Sequence, residues 1–223
     1  MNNSAVNTAR LIGAGLRALI VLTVLCGVLY PLAVTGVAQA LFPDRANGSE
    51  IKDSTGRVVG SELIGQRYDL PLRKGEETPA PDLRWFQPRP SNGLGENSVN
   101  TQYKLILSGA TNRAGDNSEL LQWVKDAKAA VVRDNSTADF TVKPSDVPAD
   151  AVTSSGSGLD PHISPRYADL QAHRIAERNH LDVQRVRELV DQHTEGRSLG
   201  FMGEPRVNVL QLNIALKELT ARS

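Results

Sequence analysis

The sequence has very little cysteine, few aromatic residues and no surplus of basic charge. Cys26 is the single cysteine among 223 residues, so neither an intrachain disulfide nor a zinc site of clustered thiolates can form. Lys plus Arg number 25 and Asp plus Glu number 25, which argues against nucleic acid as a partner because such binding needs a basic excess. With aromatics at only 4% and with 18 Gly and 12 Pro, a modest, loop-rich core is expected.

Motifs for catalysis and metal binding are also missing. The sequence has no Gly-x-x-x-x-Gly-Lys-Ser/Thr phosphate loop and no Asp-Lys-Thr-Gly segment to carry a phosphoryl group. Ser157, Asp160 and His162 suggest a hydrolase at first sight, but the glycines around Ser157 lack the spacing of a nucleophile elbow. We predict instead that Asp160 caps the turn that follows it through backbone amides. The other histidines lack the paired spacing of metal ligands, so no catalytic residue and no metal site is predicted.

What the sequence does contain is one long uncharged segment near its beginning. No charged residue lies between Arg17 and Asp44, and about 26 residues at ~1.5 Å each make about 39 Å of helix, enough to cross a hydrocarbon core of ~30 Å. Arg10 and Arg17 precede the segment, so the positive-inside rule assigns the N-terminus to the cytoplasm. We therefore predict a cytoplasmic N-terminus at 1–17, a transmembrane helix at 18–42 and an extracytoplasmic domain at 43–223.

A cleaved secretory signal peptide is the alternative interpretation of this segment. Ala38-Gln39-Ala40 has the small-x-small pattern of a cleavage site. The apolar run is longer than the usual signal-peptide core of about 7–15 residues, and it continues through Leu41 and Phe42. Both features favour a retained anchor.

Several residues inside the span are typical of a helix that packs on other helices. Pro31 removes one backbone donor and frees the carbonyl of Gly27, which must find another partner in lipid. Gly36 and Ala40 form a small-xxx-small pair, which lets helices approach closely. We expect the helix from about 18 to 41 to pack in this way.

The rest of the chain predicts a domain of the α+β class. Alternation of apolar and polar residues from Ala46 to about Gly65 predicts a β-hairpin. The proline- and charge-rich segment from Leu70 to Leu83 is expected to be an exposed excursion. Polar, Gly/Ser-rich residues from 137 to 158 predict a loop. Four helices are predicted, beginning at Asn117 or Ser118, at Ser164, after Asp182 and near Asn208.

Six motifs follow one another along the chain. They are Tyr30-Pro31-Leu32-Ala33-Val34-Thr35-Gly36, Ala46-Asn47-Gly48-Ser49, Gly60-Ser61-x-Leu63-Ile64-Gly65-Gln66, Phe86-x-x-Arg89-Pro90-Ser91, Ser157-Gly158-Leu159-Asp160-Pro161-His162-Ile163-Ser164-Pro165 and Arg206-Val207-Asn208-Val209-Leu210-x-Leu212-Asn213. In this order they resemble the C-subunit family of the Kdp high-affinity potassium-transporting ATPases. The resemblance covers nearly the whole chain, and it implies that the single helix is retained.

The resemblance implies an accessory subunit of a multi-subunit pump. In such a pump a channel-like subunit binds potassium and a P-type ATPase subunit hydrolyses ATP, so ATP and potassium are used by the complex and no cofactor is expected on this chain. The expected partners are those two subunits and the lipid bilayer. The family is described as a catalytic chaperone that raises the ATP affinity of the hydrolysing subunit. Tyr30, Pro31, Thr35 and Gly36 are expected to pack against other subunits.

Ser108, Gly109 and Asn112 are the candidate nucleotide-binding residues. The resemblance implies this role, because the segment 108–112 is where the family has been likened to the signature loop of ABC transporters. Ala110 and Thr111 replace a glycine and a serine of that pattern, which disfavours a backbone cradle for phosphate. The charge bias also assigns this loop to the outside, away from cytoplasmic ATP. A direct ATP-binding regulator acting through this loop, and an extracytoplasmic hydrolase acting through Ser157, remain the alternative functions.

Overall fold

A computed structural model describes residues 3–72, 74–75, 78–91, 95–96, 108–110 and 112–221. The chain divides into two compact units, Met1–Ser49 and Glu50–Ser223. The first is helical and the second mixes helices with small sheets. This confirms the predicted class, in which one long apolar helix precedes an α+β domain.

The first unit is a nearly continuous helix. It consists of α1 (Asn3–Val24), a π-helical turn (Leu25–Leu29), α2 (Tyr30–Leu41) and the short α3 (Pro43–Ala46). Among the described residues, Ser4–Leu41 is the one helix that is long and apolar enough to cross a membrane. Its 38 residues span about 57 Å at ~1.5 Å each. Only part of this helix is therefore needed to cross a hydrocarbon core of ~30 Å. The helix thus extends through residues that the sequence predicted only as an N-terminal tail.

The π-helical turn lies immediately before Pro31. The Tyr30 amide donates to the Leu25 carbonyl, five residues earlier, instead of to the carbonyl four residues earlier. Proline has no amide hydrogen and its ring crowds the carbonyl four residues before it, so a widened turn accommodates the ring without ending the helix. The proline predicted an irregularity here, but it did not predict which kind.

Among the described residues of the second unit, short strands form three small sheets. β1 (Glu50–Lys52) and β2 (Val58–Ser61) pair antiparallel, which confirms the predicted hairpin. The next pair, β3 (Gln66–Arg67) and β4 (Gly95–Glu96), is parallel. An antiparallel sheet in the order β5-β7-β6 joins β5 (His162–Ile163), β6 (Thr194–Glu195) and β7 (Arg206–Asn208). The sequence did not predict this last sheet, because strands of two or three residues are too short to show a period.

The four predicted helices are confirmed. They are α4 (Ser118–Asn135), α5 (Pro165–Asn179), α6 (Val183–Gln192) and α7 (Val209–Ala221). All four begin with side-chain caps, in which Asn117, Ser164, Asp182 and Asn208 accept hydrogen bonds from the first amides of α4, α5, α6 and α7. The predicted loop from 137 to 158 contains one turn of 3-10 helix, Ala149–Ala151.

The hydrophobic core lies among α5, α6, α7 and β7, together with the segment around Phe86. Its completely buried members are Phe86, Ala168, Ala172, Ile175, Val186, Val207, Leu212 and Leu216. The apolar face of α4 is only partly buried. Val131 joins the core, whereas Leu120 and Val124 line a surface hollow.

The two ends of the excursion from Leu70 to Leu83 lie beside each other. The Leu70 amide donates to the Ala80 carbonyl at 2.8 Å, and the Asp82 amide donates to the Tyr68 carbonyl at 2.8 Å. These bonds pair the two ends of the excursion, which the sequence left unassigned.

Candidate functional site: a junction of the sequence motifs

Four of the six motifs contribute to one hydrogen-bonded region, which we call the motif junction. Its centre is the loop at 157–165. Backbone carbonyls of this loop accept hydrogen bonds from the Gly65 amide at Leu159 (2.8 Å), the Gly109 amide at Ser157 (2.9 Å) and the Val209 amide at Pro161 (3.0 Å), and from the Ser91 hydroxyl at Gly158. The junction therefore bonds residues that are as far apart in sequence as Gly65 and Leu159.

A charged pair lies at the centre of the junction. Arg89 Nη1 donates to Asp160 Oδ2 at 3.1 Å, and Asp160 Oδ1 accepts from the His162 amide at 2.9 Å. His162 Nδ1 lies 3.4 Å from the same carboxylate. Hydrogen bonds from the His162 side chain and amide, together with Arg89, lower the pKa of Asp160 to about 2, although partial burial opposes the shift.

Asp160 therefore caps the turn at His162, as its sequence position predicted. The sequence assigned no role to Arg89, although this residue lies in one of the quoted motifs. Arg89 also donates to the carbonyls of Thr153 at 3.3 Å and Ser154 at 3.4 Å. The Arg89 guanidinium thus bonds both the Asp160 carboxylate and the backbone at 153–154. Arginine can make several such contacts at once because its planar group carries five donors.

Gly158 allows the closest approach in the junction. Its φ is +70°, and a Cβ at this position would lie 2.7 Å from the Gly109 carbonyl oxygen. Both the backbone conformation and the available space therefore require glycine.

The motif residues also fix the starts of α5 and α7. Asp150 accepts from the Ser164 amide at 2.7 Å and from its hydroxyl at 3.0 Å, while the Ser164 hydroxyl accepts from the Tyr167 amide at 3.1 Å. At α7, Asn208 Oδ1 accepts from the Leu210 amide at 3.1 Å, and its Nδ2 donates to the Glu62 carbonyl at 2.9 Å. Both helices consequently begin at the junction.

Two buried amide side chains form hydrogen bonds with the backbone at 86–87, in the way that a neighbouring strand would. Asn213 accepts from the Phe86 amide at 2.9 Å and donates to the Phe86 carbonyl at 2.9 Å. Gln171 accepts from the Gln87 amide at 2.8 Å and donates to the Gln87 carbonyl at 3.1 Å. We call Asn213 and Gln171 the amide clamps; α7 supplies the first and α5 the second.

A buried arginine completes this arrangement. Arg174 is 2% exposed, and it donates to Asn135 Oδ1 at 2.9 Å, to Gln171 Oε1 at 2.6 Å and to the carbonyls of Leu83 and Trp85. Burial lowers the pKa of Arg174 to about 10. Its bonds link α4, α5 and the segment before Phe86, so the interior polar groups here serve the fold.

The candidate nucleotide loop lies against the junction. The Ser108 hydroxyl donates to the Ser157 carbonyl at 2.9 Å, and the Gly109 amide donates to the same oxygen at 2.9 Å. Both donors are therefore engaged within the chain. Asn112 is exposed with φ of +49°, and Thr111 lies outside the described residues.

The expected subunit-packing residues lie on the outside of the first unit. Tyr30, Pro31, Thr35 and Gly36 are all exposed, and a Cβ at Gly36 would meet no atom within 4 Å. Gln39, on the same helix, donates to Asn47 Oδ1 at 3.1 Å. Nothing within the described part of this unit covers these four residues.

The junction does not assemble the hydrolase arrangement that the sequence suggested. The Ser157 hydroxyl accepts from the Leu159 amide at 3.1 Å and lies 3.4 Å from the Ser155 hydroxyl. Among the described residues no hydrogen bond joins it to His162, so no base activates this hydroxyl. Across the same residues, no group of three or more His, Cys, Asp or Glu side chains is placed to hold a metal ion.

One candidate membrane helix and an α+β domain organised around a motif junction define the class of this protein. Residues 12–218 match the family model described as K+-transporting ATPase, c chain. The chain is 78% identical over 223 residues to the potassium-transporting ATPase KdpC subunit of Streptomyces avermitilis, covering all of both chains. It is also similar to the KdpC subunits of Streptomyces coelicolor, with 72% identity over 99% of this chain and 98% of the relative, and Kineococcus radiotolerans, with 43% identity over 97% and 98%.

The chain belongs to the KdpC family of potassium-transporting ATPase subunits. The resemblance carried by the six motifs is thereby confirmed.

Proposed function

We propose that this protein is an accessory subunit of an ATP-driven high-affinity potassium uptake complex. In this role it stabilises the assembly and acts as a catalytic chaperone for the ATP-hydrolysing P-type subunit. The observation that carries the proposal is the long apolar helix of the first unit, in a chain of the KdpC family. Tyr30, Pro31, Thr35 and Gly36 of this helix are exposed, and no other residue of the described first unit covers them. A helix of this kind needs lipid or another helix around it.

The membrane contact is proposed to run through Tyr30, Pro31, Thr35 and Gly36, against the channel-like potassium-binding subunit. Pro31 and Thr35 are four residues apart, so they share one face of α2, and Gly36 follows Thr35 directly. Open space around Gly36 lets a second backbone approach closely.

The orientation is proposed from the charge bias. Arg10 and Arg17 assign the N-terminus to the cytoplasm, so the second unit is extracytoplasmic and is anchored in the cell membrane by a single span. There we expect it to stand at the potassium entrance.

Replacing the anchor tests this role. Exchanging residues 1–43 for an unrelated single-span anchor of the same orientation is expected to remove most of the chain from the purified complex and to abolish potassium uptake at low concentration. An exchange confined to residues 1–17 is the matched control and should leave both unchanged. An intact and active complex with the foreign span would refute the packing role.

A direct ATP-binding regulator acting through Ser108, Gly109 and Asn112 is the second candidate. The exposure of these three residues supports it, whereas the Ser108 and Gly109 donors already serve the Ser157 carbonyl. A photoreactive ATP analogue should label the segment 108–112 in the complex if this candidate is correct. Labelling confined to the P-type subunit would exclude it.

A further inference from the structure

The turn between β6 and β7 presents large apolar side chains to solvent. We call its residues, 196–203, the apolar tip. Leu199 is 80% exposed, Phe201 71% and Met202 47%. Leu199 and Phe201 are the two most exposed large apolar side chains among the described residues of the second unit. Single exposed apolar residues are common on protein surfaces, whereas several together mark an interaction site.

The backbone of the apolar tip is held by its own hydrogen bonds. The amides of Ser198 and Met202 each donate to the carbonyl of the other residue at 2.9 Å, and the Gly200 amide donates to the Arg197 carbonyl at 3.1 Å. Directly below the tip, β6 and β7 pair antiparallel. A hydrogen-bonded turn therefore presents the apolar side chains, so covering them costs little conformational entropy.

Leu199 has a backbone conformation that the fold alone does not explain. Its φ is +54°, in the left-handed region that disfavours a bulky residue. Gly200 and Gly203 also have positive φ, but the absence of a Cβ removes the cost there. A leucine at position 199 thus strains the turn, while its exposed side chain gains little packing within the chain. Local strain of this kind indicates a function outside the fold.

The charge of the apolar tip suits a lipid surface. Arg197 is the one charged residue within 196–203, and it is exposed. Two acids flank the tip, Glu204 and Glu195, and the second is paired with Arg206 at 2.9 Å. Segments that bind the membrane interface combine apolar side chains, which enter the acyl boundary, with a basic residue that attracts anionic lipid. A convex turn can enter lipid without the matching pocket that a protein partner must supply.

The chain itself keeps the second unit near a bilayer. Residues 42–49 join Leu41, where the candidate membrane span ends, to Glu50, where the second unit begins. At up to ~3.6 Å per residue, this connection reaches at most about 32 Å. The tether therefore gives the second unit a high effective concentration at the lipid headgroups. For this reason a lipid surface is favoured over a protein partner.

We propose that the apolar tip inserts into the interface of the bilayer that holds the first unit. The Leu199 and Phe201 side chains then lie at the boundary of the acyl chains, and the Arg197 guanidinium contacts lipid phosphate. Two apolar side chains bind a membrane only weakly and reversibly by themselves, and the tether makes this contact sufficient to limit the rotation of the second unit. The inference rests on the proposed function in one respect, namely that the first unit spans a bilayer.

Spin labels on the full-length chain test the insertion in vesicles of phosphatidylcholine and phosphatidylglycerol, with no other protein present. In a Cys26→Ser background, Leu199→Cys carries a nitroxide on the apolar tip. Leu121→Cys carries the matched label at an exposed leucine of α4. The label at position 199 should be relaxed more by oxygen, which dissolves in lipid, than by a water-soluble nickel chelate. The label at position 121 should show the reverse order.

Two further substitutions, each in the Leu199→Cys chain, test what drives the insertion. Phe201→Asp should reduce the inserted population by about tenfold or more, because burying one phenyl ring contributes a factor of at least this order. The matched Leu121→Asp should leave that population unchanged. Arg197→Gln should reduce it by about fivefold in the anionic vesicles and by less in phosphatidylcholine alone. All three residues are exposed, so the melting temperatures should remain close to that of the parent chain; the arginine variant still decides if Phe201→Asp does not fold.

A label on the native Cys26 separates failure of this inference from failure of the proposed function. If the label at Cys26 is in lipid and the label at position 199 is in water, the inference is overturned and the accessory role stands. Protection of position 199 only when the other pump subunits are present would assign the apolar tip to a protein partner, and this result also overturns the inference. A label at Cys26 that lies in water would contradict the proposed membrane anchor, and the inference would fall with it.

Discussion

The ion pair between Arg89 and Asp160 links the loop at 153–160 to the segment before Ser91. Its two side chains are 21% and 29% exposed, so it is better shielded from solvent than a surface pair, which contributes only about 0–1 kcal/mol. Because Asp160 also accepts the His162 amide, its ionised form is favoured in the folded state. The junction therefore depends on the charge of a single carboxylate.

Asp160→Asn should make stability less dependent on pH. The folded pKa of Asp160 is about 2 against an ordinary 3.8, so its charge stabilises the fold above about pH 4 and that contribution disappears as the pH falls through about 2, amounting to about 2 kcal/mol in total. Urea unfolding of the full-length chain should show this deficit for the variant at pH 7 and a much smaller one near pH 2.5. Asp169→Asn, at a carboxylate that is 55% exposed, is the control and should show less than about 1 kcal/mol at either pH. An equal deficit for Asp160→Asn at both pH values would contradict the assigned charge.

Comparing Gly158→Ala with Gly56→Ala separates two costs in stability, that of a left-handed backbone conformation and that of a steric clash. Gly158 has φ of +70° with the Gly109 carbonyl in the way, whereas Gly56 has φ of +82° and open space. Gly56→Ala should therefore cost about 1 kcal/mol for the left-handed backbone alone. Gly158→Ala should cost roughly 2–4 kcal/mol, because the Gly109 carbonyl must also move. Equal losses in urea unfolding would mean that the approach of Gly109 is not tight.

At the scale of elements, the amide clamps replace a strand partner for the segment at 86–87. A buried backbone amide or carbonyl without a partner is strongly unfavourable. Asn213 supplies both bonds for Phe86, and Gln171 does so for Gln87. In this way α5 and α7 are attached to an irregular segment of the chain.

Asn213→Leu should be among the most destabilising single changes. Leucine has the same number and branching of side-chain heavy atoms but leaves the buried Phe86 amide and carbonyl unpaired, so a loss of roughly 2–4 kcal/mol is expected in urea unfolding. Gln122→Leu, at an exposed amide bonded only to Asp126, is the control and should change stability by less than about 0.5 kcal/mol. A loss below about 1 kcal/mol for Asn213→Leu would mean that the clamp is not needed.

Pro31→Ala tests the origin of the π-helical turn. With an amide at position 31, the constraint on the preceding turn is removed and the Tyr30 amide is expected to bond to the Cys26 carbonyl in place of Leu25. Couplings across the hydrogen bond, measured by NMR on the chain in detergent, distinguish the two acceptors. Persistence of the Leu25 bond would show that the turn does not depend on the proline.

The sequence predicted the elements with strong local signals and missed those made by tertiary contacts. Caps and spacing identified all four domain helices, and the Ser164-Pro165 start is a clear example. The strands β5, β6 and β7 exist only because distant residues pair, so no local pattern marks them. Asn213 and Arg89 were visible as motif members, but their partners lie in other parts of the chain and could not be inferred from spacing.

At the scale of the whole molecule, the chain combines one candidate membrane helix with a domain organised around one junction. Family membership follows from the match over residues 12–218. The orientation across the membrane is the proposal on which the remaining functional argument depends, because it decides whether the domain meets external potassium or cytoplasmic ATP.

Accessibility of single cysteines in intact cells tests this orientation most directly. In a Cys26→Ser background, Ser145→Cys reports on the domain and Ser4→Cys on the start of the helix; both positions are exposed. With a membrane-impermeant maleimide, Ser145→Cys should be labelled in intact cells and Ser4→Cys only after permeabilisation. The reverse pattern would contradict the account, because the domain would then lie on the side of the ATP pool.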